Sequence, residues 1–385
     1  MKILITSDWY YPVVNGVVRS ILNLKSYLES RGHDVRVLTL SNSTESYKKD
    51  KVYYIGSLGA GKIYPEARIS ATLRSKCIEE IKEWKPDIVH SQCEFSTFMM
   101  ASKIAKKVSC PIVHTYHTIY EDYTHYFSPS KKMGRKMISV FSKAIAGKVD
   151  TLIAPSRKTM EILKSYEIDE EKIKIIPTGI KIPENLMKKD KLRDYYGYDK
   201  NDKIILYLGR LAEEKNIEEL IDYYIKLDIE KLKFIIAGGG PYLCNLKEYT
   251  KKTNKKINFT GMVRPEEVYN YYRMADVFIS ASKSETQGLT YYEAMSNGTL
   301  AICREDLCLE NVIIDDFNGY QYKKFYDFEK YLKLVLNDED KKKELSRNAR
   351  SYAIENFSIE SFGSKCENLY EEVLQKDRVN ESSYI

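Results

Sequence analysis

Two glutamates open the chemistry because of what lies between them. In Ser284-Glu285-Thr286-Gln287-Gly288-Leu289-Thr290-Tyr291-Tyr292-Glu293-Ala294-Met295, Glu285 follows a predicted strand. Gly288 permits a close approach of the backbone to a ligand. A helix is then predicted, and its free N–H groups at Leu289 and Thr290 suit a phosphate. Glu293 lies about one turn into that helix. Two carboxylates bracketing such a helix start can hold hydroxyl-bearing groups on either side of a diphosphate. An isolated pair would instead read as a surface glutamate and an acidic residue favoured by the helix dipole.

A second constellation is cationic. In Leu208-Gly209-Arg210-Leu211-Ala212-Glu213-Glu214-Lys215-Asn216, a strand ends and Arg210 and Lys215 follow in the loop and first helical turn. Two cations there can neutralise a diphosphate leaving group as its charge develops. The plainer alternative is a solvated arginine at a strand exit and a lysine on a helix surface.

A third is the string His114-Thr115-Tyr116-His117-Thr118-Ile119-Tyr120-Glu121-Asp122-Tyr123-Thr124-His125-Tyr126, which follows another strand. Its two leading histidines lack a third ligand at metal spacing, so no metal site is expected. The density of His, Glu and Tyr points to a binding site. Glu94, in Ser91-Gln92-Cys93-Glu94-Phe95 after the preceding strand, is placed close by. The segment 128–149 carries Lys131, Lys132, Arg135, Lys136, Lys143 and Lys148 with no acid before its end. Interleaved with Met133, Met137, Ile138, Val140 and Phe141, it reads as a basic amphipathic helix. Such a helix suits anionic lipid headgroups, or else packs on the core with a solvated outer face.

These groups need elements to carry them. Short apolar runs alternate with amphipathic stretches along the chain. Predicted strands are 3–6, 35–40, 51–55, 88–90, 112–115, 151–154 and 173–176, with helices over 17–30, 67–84, 97–108 and 131–148. A polar, lysine-rich stretch over 182–203 interrupts the pattern. It restarts with strands 204–208, 234–237, 257–260, 277–280 and 300–303 and helices 217–226, 242–250, 265–273 and 290–297, and the tail 338–375 is read as helical throughout. The fold class is therefore α/β with parallel sheets covered on both faces. The expected organisation is two Rossmann-like domains, 1–180 and 181–356, with a final helical segment, 357–385, expected to cross back to the first domain. Ligands of open α/β sheets sit outside the carboxyl ends of the strands, so a cleft between two such domains is the expected site.

Composition agrees with this class. The 385 residues suffice for two cores, and 43% hydrophobic with 30% charged residues is ordinary for a globular chain. A formal net charge of +6 is too weak to indicate a nucleic-acid partner. Seven scattered cysteines without a CxxC pair predict neither a disulfide framework nor a zinc site, and fit a reducing compartment. No window approaches the roughly 20 apolar residues of a membrane span. The expectation is a cytoplasmic protein whose membrane contact is peripheral. Tyrosine reaches 32 residues, which suits groove linings but equally fits a compositional habit.

Taken together, the motifs resemble those of the retaining GT-B glycosyltransferases of family four. Their E-x7-E motif is matched by Glu285 and Glu293, with Gly288 between and Ala294-Met295 after. The resemblance implies that Glu285 contacts the donor sugar and Glu293 the ribose, and that Arg210 and Lys215 clamp the diphosphate. It assigns Gly16, Gly239, Val263, Gly288, Leu289 and Thr290 to the donor as well. Gln287 departs from the phenylalanine usual in the family. The string 114–126 is similar to that of bacterial diacylglycerol glucosyltransferases. That likeness implies His117 at the sugar, and Glu94, Tyr120, Glu121, Tyr123 and His125 lining the acceptor entrance. It also favours membrane docking through Lys131, Lys132, Arg135 and Lys136. The implied reaction moves a hexose from a UDP-sugar to a lipid, without metal or other cofactor. The sole DxD string, Asp338-Glu339-Asp340, sits in a helix-capping context rather than a metal site. Alternatives are transfer to a polyprenol-linked saccharide, a nucleotide-sugar epimerase, and a non-catalytic partner subunit. A dehydrogenase is disfavoured by the missing GxGxxG fingerprint.

Overall fold

The structure, a computed structural model, describes residues 1–13, 15–61, 67–70, 75–121, 130–251 and 253–382, without the side chains of Lys131 and 380–382. The chain divides into two units, one of residues 1–179 with 359–385, the other of residues 180–358.

In the first unit the strands are β1 (Lys2–Thr6), β2 (Asp34–Leu40), β3 (Tyr47–Lys49), β4 (Val52–Ile55), β5 (Leu58–Gly59), β6 (Arg68–Ile69), β7 (Ile88–Ser91), β8 (Ile112–Thr115), β9 (Thr151–Ala154) and β10 (Ile173–Ile175). The helices are α1 (Gly16–Ser30), α2 (Lys76–Trp84), α3 (Ser96–Val108), α4 (Lys131–Ala146) and α5 (Arg157–Ser165). The main sheet runs β10-β9-β8-β7-β1-β2-β4-β3, parallel except for β3. β7, β8 and β9 are buried along their whole length, as strands covered on both faces must be.

In the second unit the strands are β11 (Lys203–Leu208), β12 (Leu232–Ala237), β13 (Ile257–Gly261), β14 (Val277–Ser280), β15 (Leu300–Arg304) and β16 (Gly319–Tyr322). The helices are α6 (Lys189–Tyr195), α7 (Ile217–Lys226), α8 (Leu243–Thr250), α9 (Val268–Met274), α10 (Leu289–Ser296), α11 (Phe325–Asn337) and α12 (Glu339–Phe357). Its sheet is parallel throughout, in the order β13-β12-β11-β14-β15-β16. The last helix, α13 (Ile359–Ser382), belongs to the first unit.

Each sheet has a point where the strand order reverses, between β1 and β7 in the first unit and between β11 and β14 in the second. Crevices at the carboxyl ends of such strands are where open α/β sheets take ligands.

Four details differ from the sequence reading. Of the helix predicted over 67–84, α2 covers 76–84, and 71–74 lie outside the described residues. Arg68–Ile69 instead pairs antiparallel with Leu58–Gly59, and the Arg68 guanidinium donates to the Ser57 hydroxyl and carbonyl. Ser75 then caps α2, its hydroxyl accepting from the Ile78 amide, which fixes the start. The tail is two helices, because Ser358 is extended and pairs with Ile180. The strands β3, β5 and β16 and the helices α5 and α11 escaped the sequence reading altogether. Finally, the polar stretch before β11 contains α6, whose Arg193 and Lys189 hold the buried Asp276 at 2.7 and 2.6 Å.

Candidate active site

In the second unit the site is built at the exits of β11 and β14. Gly209 and Arg210 leave β11, a short 3-10 turn spans Glu213–Lys215, and α7 follows. The neighbouring β12 exit holds this loop from below. Leu211 N–H donates to the Gly239 carbonyl at 2.9 Å, and Gly238 lies so near that a Cβ there would stand 2.0 Å from the Gly209 carbonyl oxygen. Gly238 has φ of +130°, so only glycine fits on both counts. Gly239 itself is half-buried against Met262, and Val263 packs on the core behind it.

Across the β11/β14 reversal, Lys215 Nζ donates to Glu285 Oε1 at 2.7 Å, with both side chains about one-fifth exposed. The structure thus joins two residues that lie far apart in sequence. Arg210 is exposed, and its guanidinium has no partner among the described residues. Gly288 caps α10 in the left-handed region, φ +78°, and a Cβ would meet the Tyr291 ring at 2.5 Å. No side chain caps the helix, so the amides of Leu289 and Thr290 stay available to a ligand. Glu293 is buried one turn on and accepts from the Tyr272 hydroxyl at 3.2 Å. Asp338, of the DxD string, caps α12 by accepting from the Lys341 amide at 2.9 Å.

In the first unit the exits of β1, β7 and β8 meet at the other reversal point. Glu94 is buried; its Oε2 accepts from the Tyr120 hydroxyl at 2.6 Å, and its Oε1 lies 3.5 Å from His114 Nε2. His117 Nε2 stands 2.6 Å from Gln92 Oε1. Burial pulls the His117 pKa down to about 4 against the opposing pull of Glu94, so the ring is neutral at pH 7. Burial and then the Glu94 charge push the Tyr120 hydroxyl well up, keeping it a donor. Gly16 opens α1, where Asn15 Oδ1 accepts from Val18 N–H at 2.9 Å.

Three participants went unrecognised in the sequence. Asp8, just past β1, accepts from the Thr97 amide at 2.8 Å, and burial raises its pKa to about 6. Its place immediately after a buried strand was the available signal. His90 and Tyr370 meet at 2.6 Å, which no local pattern announces.

Glu121 accepts from the Tyr166 hydroxyl at 2.8 Å and pairs with Arg135 Nε at 3.0 Å. One residue assigned to the acceptor and one assigned to the membrane are therefore bonded to each other. Tyr123 and His125 lie outside the described residues, as does the side chain of Lys131. Lys132 and Lys136 are exposed and make no ion pair or hydrogen bond among the described residues. Along α4, Ile138, Ser142 and Ile145 face the core, whereas Met133, Met137 and Val140 are exposed on the opposite side at 48, 52 and 62%. Phe141 of α4 stacks on Phe95, which also touches the Tyr120 ring edge-on, so α4 adjoins the Glu94–Tyr120 pair.

Comparison with known proteins is decisive at this point. Glycosyltransferase Family 4 matches residues 14–182, and Glycosyl transferases group 1 matches residues 188–352. Over 384 residues the chain is 34% identical to the alpha-monoglucosyldiacylglycerol synthase of Streptococcus pneumoniae, covering 96% of this chain and 85% of that one. The chain is a family-four glycosyltransferase. It is also 31% identical to the alpha-monoglucosyldiacylglycerol synthase of Acholeplasma laidlawii, with 98% of both chains covered. Among solved structures, the transferase superposes on Anabaena Alr3699/HepE in complex with UDP and glucose with a TM-score of 0.71 at 16% identity, covering 97% of this chain and 100% of that one. Sucrose-phosphate synthase from Thermosynechococcus elongatus gives 0.72 at 19% identity, covering 97 and 99%. At these identities the likeness is one of fold, and the fold is GT-B. No helix among the described residues is long and apolar enough to cross a membrane.

Proposed function

We propose that this glycosyltransferase moves glucose from UDP-glucose to diacylglycerol, with retention of anomeric configuration, while docked on an anionic membrane surface. The observation that carries the reading is the 34% identity over nearly the whole chain to a protein named alpha-monoglucosyldiacylglycerol synthase. The site geometry supports it.

In this reading the second unit takes the donor. Arg210, Lys215 and the amides at the start of α10 receive the diphosphate and stabilise it as it departs. Those fixed charges serve where other transferases use a metal, and none is required. Glu285 orients the sugar hydroxyls, with Lys215 holding the carboxylate in place. Glu293 takes the ribose, exchanging or sharing its Tyr272 contact. Gly16, Gly239 and Val263 supply close backbone approach and one wall of the donor site. The first unit takes the acceptor. His117 meets the sugar, and Glu94, Tyr120 and Glu121 line the acceptor side, with Tyr123 and His125 assigned there too. Front-face attack lets the leaving phosphate oxygen take the acceptor's hydroxyl proton as the new glycosidic bond forms.

Docking rests on α4. Its exposed Met133, Met137 and Val140 beside Lys132 and Lys136 offer an apolar stripe flanked by cations, which suits an anionic interface. Lys131 and Arg135 belong to the same basic set. In this reading the protein works at the cytoplasmic face of the membrane.

The test is UDP release from UDP-glucose, with and without diacylglycerol in anionic vesicles. Release is expected to require the lipid, to persist in EDTA, and to fall by about 10²–10³-fold in Glu285→Ala, the scale of losing one electrostatic contact at a reacting centre. Release indifferent to diacylglycerol would refute the acceptor. A polyprenol-linked saccharide is the second reading, favoured by 26% identity over 75% of the chain to an Escherichia coli protein named UDP-Gal:alpha-D-GlcNAc-diphosphoundecaprenol alpha-1,3-galactosyltransferase.

A further inference from the structure

Behind His117 lies a line of buried polar groups that the reaction does not touch. His90, on β7, is fully buried, and both its nitrogens are engaged. Nδ1 stands 2.6 Å from the Tyr370 hydroxyl of α13, and Nε2 stands 2.7 Å from Thr115 Oγ1. The Gln92 amide nitrogen lies 3.0 Å from His90 Nε2 and 3.3 Å from Nδ1, and its carbonyl oxygen 2.6 Å from His117 Nε2. Tyr370 is itself fully buried. The line therefore runs from the C-terminal helix, through the sheet, to the histidine at the exit of β8.

We propose that Gln92, held between His90 and His117, fixes the tautomer of His117, with hydrogen on Nε2 and the lone pair on Nδ1. Gln92 is then a positioning residue for the sugar-facing histidine. The inference rests on the reading that His117 meets the donor sugar.

Burial, with His114 and His117 nearby, holds the His90 pKa well below the usual histidine range, so its ring is neutral with one donor and one acceptor nitrogen. The Thr115 and Tyr370 hydroxyls can each donate or accept, so they serve either tautomer of His90. The Gln92 amide nitrogen lies against the His90 ring, near both its nitrogens, which leaves the Gln92 carbonyl for His117. The contact of 2.6 Å agrees, because it is short for two nitrogens and suits oxygen against N–H. A carbonyl only accepts, so His117 Nε2 must carry the hydrogen. His117 is neutral, so Nδ1 is bare, and it has no hydrogen-bond partner among the described residues. A bare nitrogen can accept from a hydroxyl of the donor sugar. The charged and titratable groups facing His117 are Glu94 and His114, with His90 behind Gln92.

The test uses the full chain labelled with ¹⁵N-histidine, without substrate, His117 being assigned by its loss in His117→Asn. Wild type is expected to show His117 protonated at Nε2 and bare at Nδ1. Gln92→Glu places a carboxylate against the ring and raises the His117 pKa. The acid limb of the kcat/KM profile, where protonation abolishes activity, should then move up by at least one pH unit with thermal stability retained. A wild-type spectrum with the proton on Nδ1 would overturn the proposal, as would an acid limb unmoved in a folded Gln92→Glu. The tautomer is read without substrate, so its failure is distinct from failure of sugar transfer, which the UDP-release assay reports separately.

Discussion

At the scale of the residue, burial of charge in the first unit has a measurable cost. Asp8 has a folded-state pKa of about 6, above its ordinary 3.8, chiefly because burial disfavours the carboxylate and Glu94 adds to it. Between those pH values the folded state holds the proton more tightly. The associated stability is present below about pH 4 and lost as pH rises through 6. Asn keeps the oxygen that accepts from Thr97 but carries no charge. Asp8→Asn should therefore raise the unfolding free energy by about 1–3 kcal/mol at pH 7.5, and by almost nothing at pH 4. Urea denaturation at the two pH values measures this; an equal gain at both would show that charge is not the cause. The motifs of the candidate site were legible at this scale because they are local: Arg210 with Lys215, and Glu285 with Glu293, each fall within one loop and helix start. The His90–Tyr370 contact was not legible, because the residues are separated by 280 positions and neither sits in a motif.

At the scale of the element, the proposed function gives two helices separable roles. The start of α10 depends on Gly288, where positive φ and the Tyr291 ring both exclude a side chain. Gly288→Ala should cost about 2–3 kcal/mol of stability, as strain of this type does. UDP affinity should fall at least tenfold, by calorimetry, because the helix amides lose their placement. A variant that melts lower yet binds UDP normally would detach the helix start from the donor. Helix α4 should behave oppositely. Its Met137 and Val140 are exposed, so Met137→Glu with Val140→Glu should leave the melting temperature unchanged. Co-sedimentation with anionic vesicles should drop about tenfold or more. Lys132→Ser with Lys136→Ser should weaken that binding at roughly 1 kcal/mol per charge, and only on anionic lipid. Element type was readable where a run was long and periodic, as for α1 and α4. It failed at 67–70, where tertiary pairing through Arg68 overrides local pattern, and at β16, whose glycine and glutamine look unlike a strand.

At the scale of the whole molecule, α13 is part of the first unit's core although it follows the second unit in sequence. Phe362, Cys366, Leu369, Tyr370 and Val373 cover the face of the sheet that carries Ile3, Ile5, Val35, Val37 and Ile88. Gly363 lets the helix lie against Tyr27 of α1, where a Cβ would intrude to 2.2 Å. Burying such side chains contributes about 1.5–3 kcal/mol each, so together they match the net stability of a typical domain. Ending the chain after Ser358 should abolish the cooperative melt of the first unit, checked by calorimetry and by amide NMR dispersion. Retained dispersion of the residues of β1, β7 and β8 would contradict that role. The alternation of buried runs and amphipathic helices made the α/β class legible from sequence. The break at Ser358 was expected as a boundary at 356/357 and not from periodicity, since a single extended residue between two helices leaves no periodic trace.

The most direct test is the product itself. UDP-glucose and diacylglycerol in anionic vesicles, incubated with the purified chain, are extracted and the glycolipid is examined by proton NMR. A glucosyl diacylglycerol with the α-anomeric coupling is predicted. A β-linked product, or glucose on an added polyprenol-linked saccharide but never on diacylglycerol, would contradict it.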